Sequence, residues 1–173
     1  MEEVILVNEQ DVQVGSMEKM EAHYKGVLHR AFSIFIFNNK GEMLLQQRAI
    51  SKYHSGGLWT NACCSHPRPG EDTKAAADRR LEEELGFSTS LQKIFDFQYN
   101  AEFNNGLTEH EFDHVYVGNY QGKINPNPAE VQDYCYKTME EISSSIKSHS
   151  HKYTAWFCIA FPKVYSWWQA RKQ

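Results

Sequence analysis

The apolar positions of the chain change period several times, and each change marks an element. Val4 to Val7 is a compact apolar run that reads as an opening strand, followed by turn-rich Asn8 to Gly15 and a short helical stretch around Met17 to His23. Ala31 to Phe37 and Met43 to Arg48 flank Asn38-Asn39-Lys40-Gly41, whose residue types predict a hairpin. Gly56-Gly57 leads into a short strand at Trp59 to Ala62. A second hairpin is predicted from Ile94 to Ala101 and Glu109 to Tyr120, which flank Asn104-Asn105-Gly106. Glu130 to Tyr136 adds a strand, and Thr138-x-x-Glu141 has the spacing of a capping box that opens a helix to about Lys147. The aromatic-rich Trp156 to Arg171 is predicted helical, with a kink at Pro162.

The most informative period lies in the middle. From Thr73 to Leu85, apolar Ala77, Leu81 and Leu85 recur every four residues and define a buried helix stripe. Glu84 lies beside that stripe next to Arg80, whereas Glu83 faces solvent within reach of Arg79. The preceding loop is stiffened by Pro67 and Pro69 and turned by Gly70, just before a helix start at Asp72 or Thr73. Cys64 and His66 are therefore held rather than dangling. Mixed strands with helices on both sides predict an α/β sandwich.

Composition narrows the function classes. The 173 residues suit one domain, and 41% hydrophobic with 13% aromatic content excludes a disordered chain. A net charge of −4 argues against a general nucleic-acid binder, so an anionic ligand must meet a local basic cluster. No stretch approaches the ~20 apolar residues of a membrane span, and a cytoplasmic, monomeric protein is expected. Cys63, Cys64, Cys135 and Cys158 lack a zinc-type Cys-x-x-Cys spacing and read as reduced thiols. Glu109 and Glu111 sit two apart on a predicted strand, so both carboxylates share one face and invite a cation.

Read from position 65, Glu71, Arg79, Leu81, Glu83, Glu84, Gly86 and Phe87 fall in register with the Nudix box. Two positions depart: Ser65 stands for the opening glycine, and Arg80 for a glutamate that Nudix hydrolases use for metal. That departure, with the upstream Thr60-Asn61-Ala62-Cys63-Cys64-Ser65-His66-Pro67 stretch, resembles the type I isopentenyl-diphosphate isomerases, a Nudix-fold family. The resemblance runs from Lys19 to Trp156 and implies a Nudix-like α/β/α sandwich with a mixed sheet.

It also implies a set of site residues. Three histidines and two glutamates, His23, His29, His66, Glu109 and Glu111, would hold Mn²⁺, Zn²⁺ or Fe²⁺. A second ion, Mg²⁺, would join the substrate diphosphate to Glu84 and the backbone carbonyl of Cys64. Lys19, Arg48, Lys52 and Arg80 would surround that diphosphate. Cys64 and Glu111 would serve as the acid–base pair, with Tyr99 bonded near Glu111 and Trp156 facing the carbocation. Metal-bound Glu111 giving the first proton and Cys64 taking the second is one assignment, and the sequence leaves the direction open. Ala155 replaces a proline that some members carry beside this tryptophan. His54, His110, His114, His149 and His151 match no motif and read as ordinary side chains.

The expected activity is interconversion of isopentenyl and dimethylallyl diphosphate without flavin. A nucleoside-diphosphate hydrolase is the alternative that the box itself raises, but Arg80 and the otherwise unused Cys64 weigh against it. A non-catalytic metal or diphosphate binder would have no need of Cys64, Tyr99 and Glu111 together.

Overall fold

A computed structural model describes residues 1–171. Strands β1 (Glu3–Val7) and β2 (Gln13–Glu18) form an antiparallel hairpin. The turn expected up to Gly15 is therefore shorter, because pairing with β1 draws Gln13 to Glu18 into a strand that carries no apolar period of its own. Helix α1 (Lys19–Lys25) follows two residues later than expected, capped by the Glu18 side chain and ended by Gly26 in the left-handed conformation.

The centre of the sheet is β3 (His29–Phe37), which runs parallel to β8 (Thr108–Asn119) through nine consecutive partners, from His29–Glu111 to Phe37–Asn119. Strand β4 (Met43–Arg48) meets β3 only at Phe37–Met43 and then diverges, so the predicted hairpin is a turn more than a ladder. Its long partner is β9 (Val131–Lys137), with β5 (Trp59–Thr60) on its other edge. The strand expected over Trp59 to Ala62 is broken in two, because β6 (Cys63–Ser65) leaves β4 and pairs with β3. Asn61 fills the break: its buried Nδ2 donates to the carbonyls of Ile34 and Cys63. Strand β7 (Gln92–Glu102) is antiparallel to β8.

Helix α2 (Thr73–Leu85) has Asp72 as N-cap and Gly86 at φ 70° beyond its end, where a Cβ would lie 2.5 Å from the Asn125 carbonyl oxygen. The capping box at Thr138 and Glu141 opens α3 (Met139–His149). Helix α4 (Ala155–Arg171) covers the expected segment and contains Pro162.

Alternation along β3 sorts the side chains into two cores. Phe32, Ile34 and Ile36 pack with Ala77, Leu81 and Leu85 of α2 on one face. Phe35 and Phe37 meet Phe157 and Phe161 of α4, and Met139 and Ile142 of α3, on the other. Burying each of these larger side chains contributes ~1.5–3 kcal/mol, so the layers clamp β3 and β8 from both sides. Among the described residues, no helix is long and apolar enough to cross a membrane.

Candidate active site

The β3–β8 register brings the first of the expected site residues together. His29 opens β3 opposite Glu111, and Tyr99 of β7 lies opposite Glu111 on the other side. His23 arrives from α1 and His66 from the loop after β6. Ligand atoms of His23, His29, His66 and Glu111 all lie within 4.8 Å of one another. Glu109 joins a second group with His23 and His54 at the same limit.

The two deepest imidazoles are oriented by the backbone. His23 Nδ1 lies 2.6 Å from the Lys19 carbonyl oxygen and His29 Nδ1 2.8 Å from that of Val27. A carbonyl only accepts, so both rings donate from Nδ1 and turn Nε2 inward. Both Nε2 atoms are buried without a hydrogen-bond partner, His29 Nε2 standing 3.4 Å from Glu111 Oε1 without good alignment. Burial, reinforced by neighbouring His66, pushes His23 down to about 4, so it is neutral near pH 7. Burial alone would raise the Glu111 carboxyl, but His66 and His29 outweigh it and hold the group well below the usual range. Tyr99 Oη lies 2.6 Å from Glu111 Oε2 and 2.8 Å from Glu109 Oε2, one hydroxyl proton between two carboxylates. Unpartnered imidazole nitrogens beside buried carboxylates make a donor set compatible with a divalent metal ion.

Cys64 is fixed by three elements at once. Its Sγ donates to Asn61 Oδ1 at 3.1 Å and accepts from Trp156 Nε1 at 3.1 Å. Ser33 Oγ is 3.4 Å away and donates to Asp113 Oδ2 at 2.7 Å. Burial, then the nearby Asp113, pushes the thiol up and keeps it protonated. Trp156 is set by the start of α4, where Thr154 donates from its backbone to the Trp59 carbonyl and from its hydroxyl to Thr60. The Arg48 guanidinium lies 5.1 Å from the indole centroid, so this ring face already accommodates a cation.

Cys64, Glu111, Tyr99 and Trp156 line one cavity of 30 Å³. A second, of 90 Å³, shares Cys64 and His66 with it and is lined by Lys19, Arg48, Lys52, Arg80 and Glu84. Three of these cations are paired here: Lys19 with Glu2 at 2.7 Å, Lys52 with Glu130 at 2.6 Å, and Arg80 with Glu84 at 2.5 Å. Sequence reading missed Glu2 and Glu130, because both reach the cavity through long-range pairing. Arg79 touches Glu83 at 3.3 Å as expected, but its two-point contact is with Glu71, at 2.7 and 2.9 Å. A larger hollow of 360 Å³ near Leu45, Trp59 and Tyr153 holds none of these groups, so volume alone does not locate the chemistry.

Residues 27–157 match the NUDIX domain. The chain is 49% identical to the isopentenyl-diphosphate Delta-isomerase of Pectobacterium atrosepticum over 98% of its own length and 95% of that protein. The chain belongs to the isopentenyl-diphosphate Delta-isomerase family of NUDIX proteins. A further isopentenyl-diphosphate Delta-isomerase, from Burkholderia multivorans, is 44% identical over 96% of this chain and 97% of that one. The fold has solved counterparts in DR0079 from Deinococcus radiodurans and the MutT protein of Methanosarcina mazei, each 20% identical. Their TM-scores are 0.79 and 0.66, with 94% and 84% of this chain covered and 98% and 96% of theirs. At that identity they speak for the NUDIX fold alone.

The isomerase-family motifs led to every residue that lines these two cavities as a cation or metal-type ligand except His54, Glu2 and Glu130. His54 reads as an ordinary side chain in the sequence, yet it is buried with Nε2 2.9 Å from Glu109 Oε1. It sits in a loop without periodicity, and only the adjacent Gly56-Gly57 hints that the loop folds tightly. His110 and His114 keep their ordinary roles, bonding to the Gly26 carbonyl and to Asp11.

Proposed function

We propose that the protein interconverts isopentenyl and dimethylallyl diphosphate by adding a proton to the terminal alkene carbon and removing one from the carbon nearer the diphosphate. The first step uses the π pair to form a C–H bond and leaves a tertiary cation. The second returns the pair of a broken C–H bond to a new double bond, so no redox partner is needed. Cys64 and Glu111 are the acid–base pair, and they exchange roles between the forward and reverse directions. The observation that carries this reading is that both line one small cavity, which shares Arg48, Cys64 and His66 with the cation-lined one.

Lys19, Arg48, Lys52 and Arg80 bind the diphosphate, and Arg80 offers a planar fork where a hydrolase would hold metal. Glu84 and the Cys64 carbonyl hold Mg²⁺ with the substrate, and His23, His29, His66, Glu109 and Glu111 hold a Mn²⁺, Zn²⁺ or Fe²⁺ ion. Bound there, the ion supplies positive charge that tunes the acidity of Glu111. Tyr99 steadies Glu111, and the Trp156 face stabilises the cation by ~2 kcal/mol or more once water is excluded.

The test is NMR of isopentenyl diphosphate in D₂O with metal-loaded protein and excess Mg²⁺. Dimethylallyl diphosphate carrying solvent deuterium is the expected product. Cys64→Ala and Glu111→Gln should each abolish turnover with the fold intact, and wild-type rates in either would sink the role assignment.

A further inference from the structure

The loop between β4 and β5 carries a histidine outside the expected ligand set. His54 is 6% exposed, and its ring stacks on Phe103 at 4.6 Å and stands edge-on to Tyr53 at 4.4 Å and Trp156 at 5.5 Å. The backbone around it is committed to this placement. Ser55 has φ 53°, which costs a non-glycine residue on the order of 1 kcal/mol or more. A Cβ at Gly56 would lie 2.4 Å from the Ile50 carbonyl oxygen, and Arg48 Nη2 donates to the His54 carbonyl at 3.1 Å.

His54 is arranged as His23 and His29 are. Its Nδ1 lies 3.2 Å from Ser55 Oγ, a hydroxyl that can accept from it, and its Nε2 is buried without a hydrogen-bond partner. Glu109 Oε1 stands 2.9 Å from that nitrogen but out of line for a hydrogen bond. A ring nitrogen and a carboxylate oxygen this close, with no hydrogen bond between them, are best met by a shared cation. Around a divalent ion with ligand bonds of ~2.1 Å, ligand atoms at right angles stand ~3 Å apart, so the spacing is that of two neighbours in one coordination shell. His23 Nε2, also buried and unpartnered, completes the group, and the three ligand atoms lie within 4.8 Å of one another. Two imidazoles and a carboxylate suit Zn²⁺, Mn²⁺ or Fe²⁺ better than Mg²⁺.

We propose that His23, His54 and Glu109 form a second position for a divalent transition-metal ion, beside the group of His23, His29, His66 and Glu111. This rests on the reading of that larger group as a metal site, and it separates Glu109 from the other four expected ligands, as their grouping does. His23 has only Nε2 to offer, because its Nδ1 is held by the Lys19 carbonyl. The chain therefore binds one ion at a time, in one position or the other. With four donors against three, the larger group holds most of it until ligands there are lost.

The experiment titrates Mn²⁺ into the chelator-treated full chain as wild type, as His29→Ala/His66→Ala, and as that double variant with His54→Leu added. Electron paramagnetic resonance reads free Mn²⁺, and its pulsed form counts the imidazole nitrogens coupled to the bound ion. The double variant should still bind one ion per chain, more weakly than wild type and with two coupled imidazoles. Adding His54→Leu should weaken binding by more than the ~10- to 100-fold that losing an outer partner typically costs, and leave at most one coupled imidazole. Binding already lost in a folded double variant, or unmoved by His54→Leu, overturns the proposal. If circular dichroism shows the double variant unfolded, anomalous diffraction from wild-type crystals soaked in excess Mn²⁺ takes its place. Density divided between the two groups is then the expected result, and a peak confined to the larger group overturns the second position. Wild type that binds Mn²⁺ no more tightly than His23→Ala would instead overturn the underlying metal reading.

Discussion

Replacing Glu84 by glutamine tests the cation-lined cavity with almost no change of shape. The carboxylate is 5% exposed, its Oε1 accepting from Arg80 Nη2 at 2.5 Å and its Oε2 from Gln46 Nε2 at 2.9 Å. Gln46 cannot turn its amide to adapt, because the same Nε2 donates to the Ala62 carbonyl at 2.7 Å. Whichever way the new amide is placed, its NH₂ meets a donor, and a hydrogen bond to a charged acceptor is lost, worth about 1.5–3 kcal/mol. The surviving bond loses its charge assistance, roughly another 1 kcal/mol. Glu84→Gln should therefore destabilise the metal-free protein by about 3 kcal/mol, a large part of the 5–15 kcal/mol typical of a domain. With a urea m value of about 2 kcal/mol/M, the unfolding midpoint followed by tryptophan fluorescence in EDTA should fall by about 1.5 M. Turnover should fall as well and need more free Mg²⁺, because the proposed ligand is gone. A midpoint shift below about 0.3 M would refute the reasoning, since that amounts to only about 0.5 kcal/mol.

Trp156→Phe keeps a ring face but removes the Nε1–H that meets Cys64 Sγ at 3.1 Å; turnover should drop by about 10-fold, from ~1–2 kcal/mol, while the melting temperature changes little. Stability should decline once the pH rises above about 9, because burial raises the thiols of Cys63 and Cys64 above their ordinary value of 9.0. The unfolded chain then releases protons that the folded one retains, so this contribution is complete below pH 9 and is lost above it, at up to ~1.4 kcal/mol per pH unit per group. Equilibrium unfolding at pH 8 and pH 10 checks the sign. Pro162→Ala, at an exposed position inside α4, restores the N–H that the Cys158 carbonyl lacks. Weighed against the looser unfolded chain, it should stabilise the protein by about 2 kcal/mol in urea titration.

The parts of this molecule that could be read in the sequence are those with a local cause. The α2 stripe of Ala77, Leu81 and Leu85 is wholly buried, and the capping box at Thr138 and Glu141 forms as its spacing requires. Parts decided at a distance could not be read. Strand β2 exists because β1 lies beside it, and the split between β5 and β6 depends on buried Asn61 bonding to Ile34, a partner 27 residues away. The same holds in the site. The family resemblance points to His23, His29, His66, Glu109 and Glu111, of which His23, His29, His66 and Glu111 lie together while Glu109 groups with His23 and His54; the acidic partners Glu2 and Glu130 and the inserted His54 are products of tertiary pairing. Ser33 and Asp113 behind Cys64 look like ordinary strand residues until the β3–β8 register sets them side by side.

That register also says where the chain can be edited. His29 and Glu111 face each other as the first rung of nine, and a residue gained or lost within β3 or β8 would turn every later side chain to the opposite layer. The two strands therefore form a reading frame that does not tolerate indels, whereas the turns at 38–42 and 103–107 lie beyond its two ends. Loop grafts, tags or a new chain opening placed at those turns should leave the metal-type cluster in phase. The same edit three or four residues into either strand should exchange the two cores beyond it, turning Ile34 and Ile36 away from the α2 layer or Val115 and Val117 away from the α4 layer.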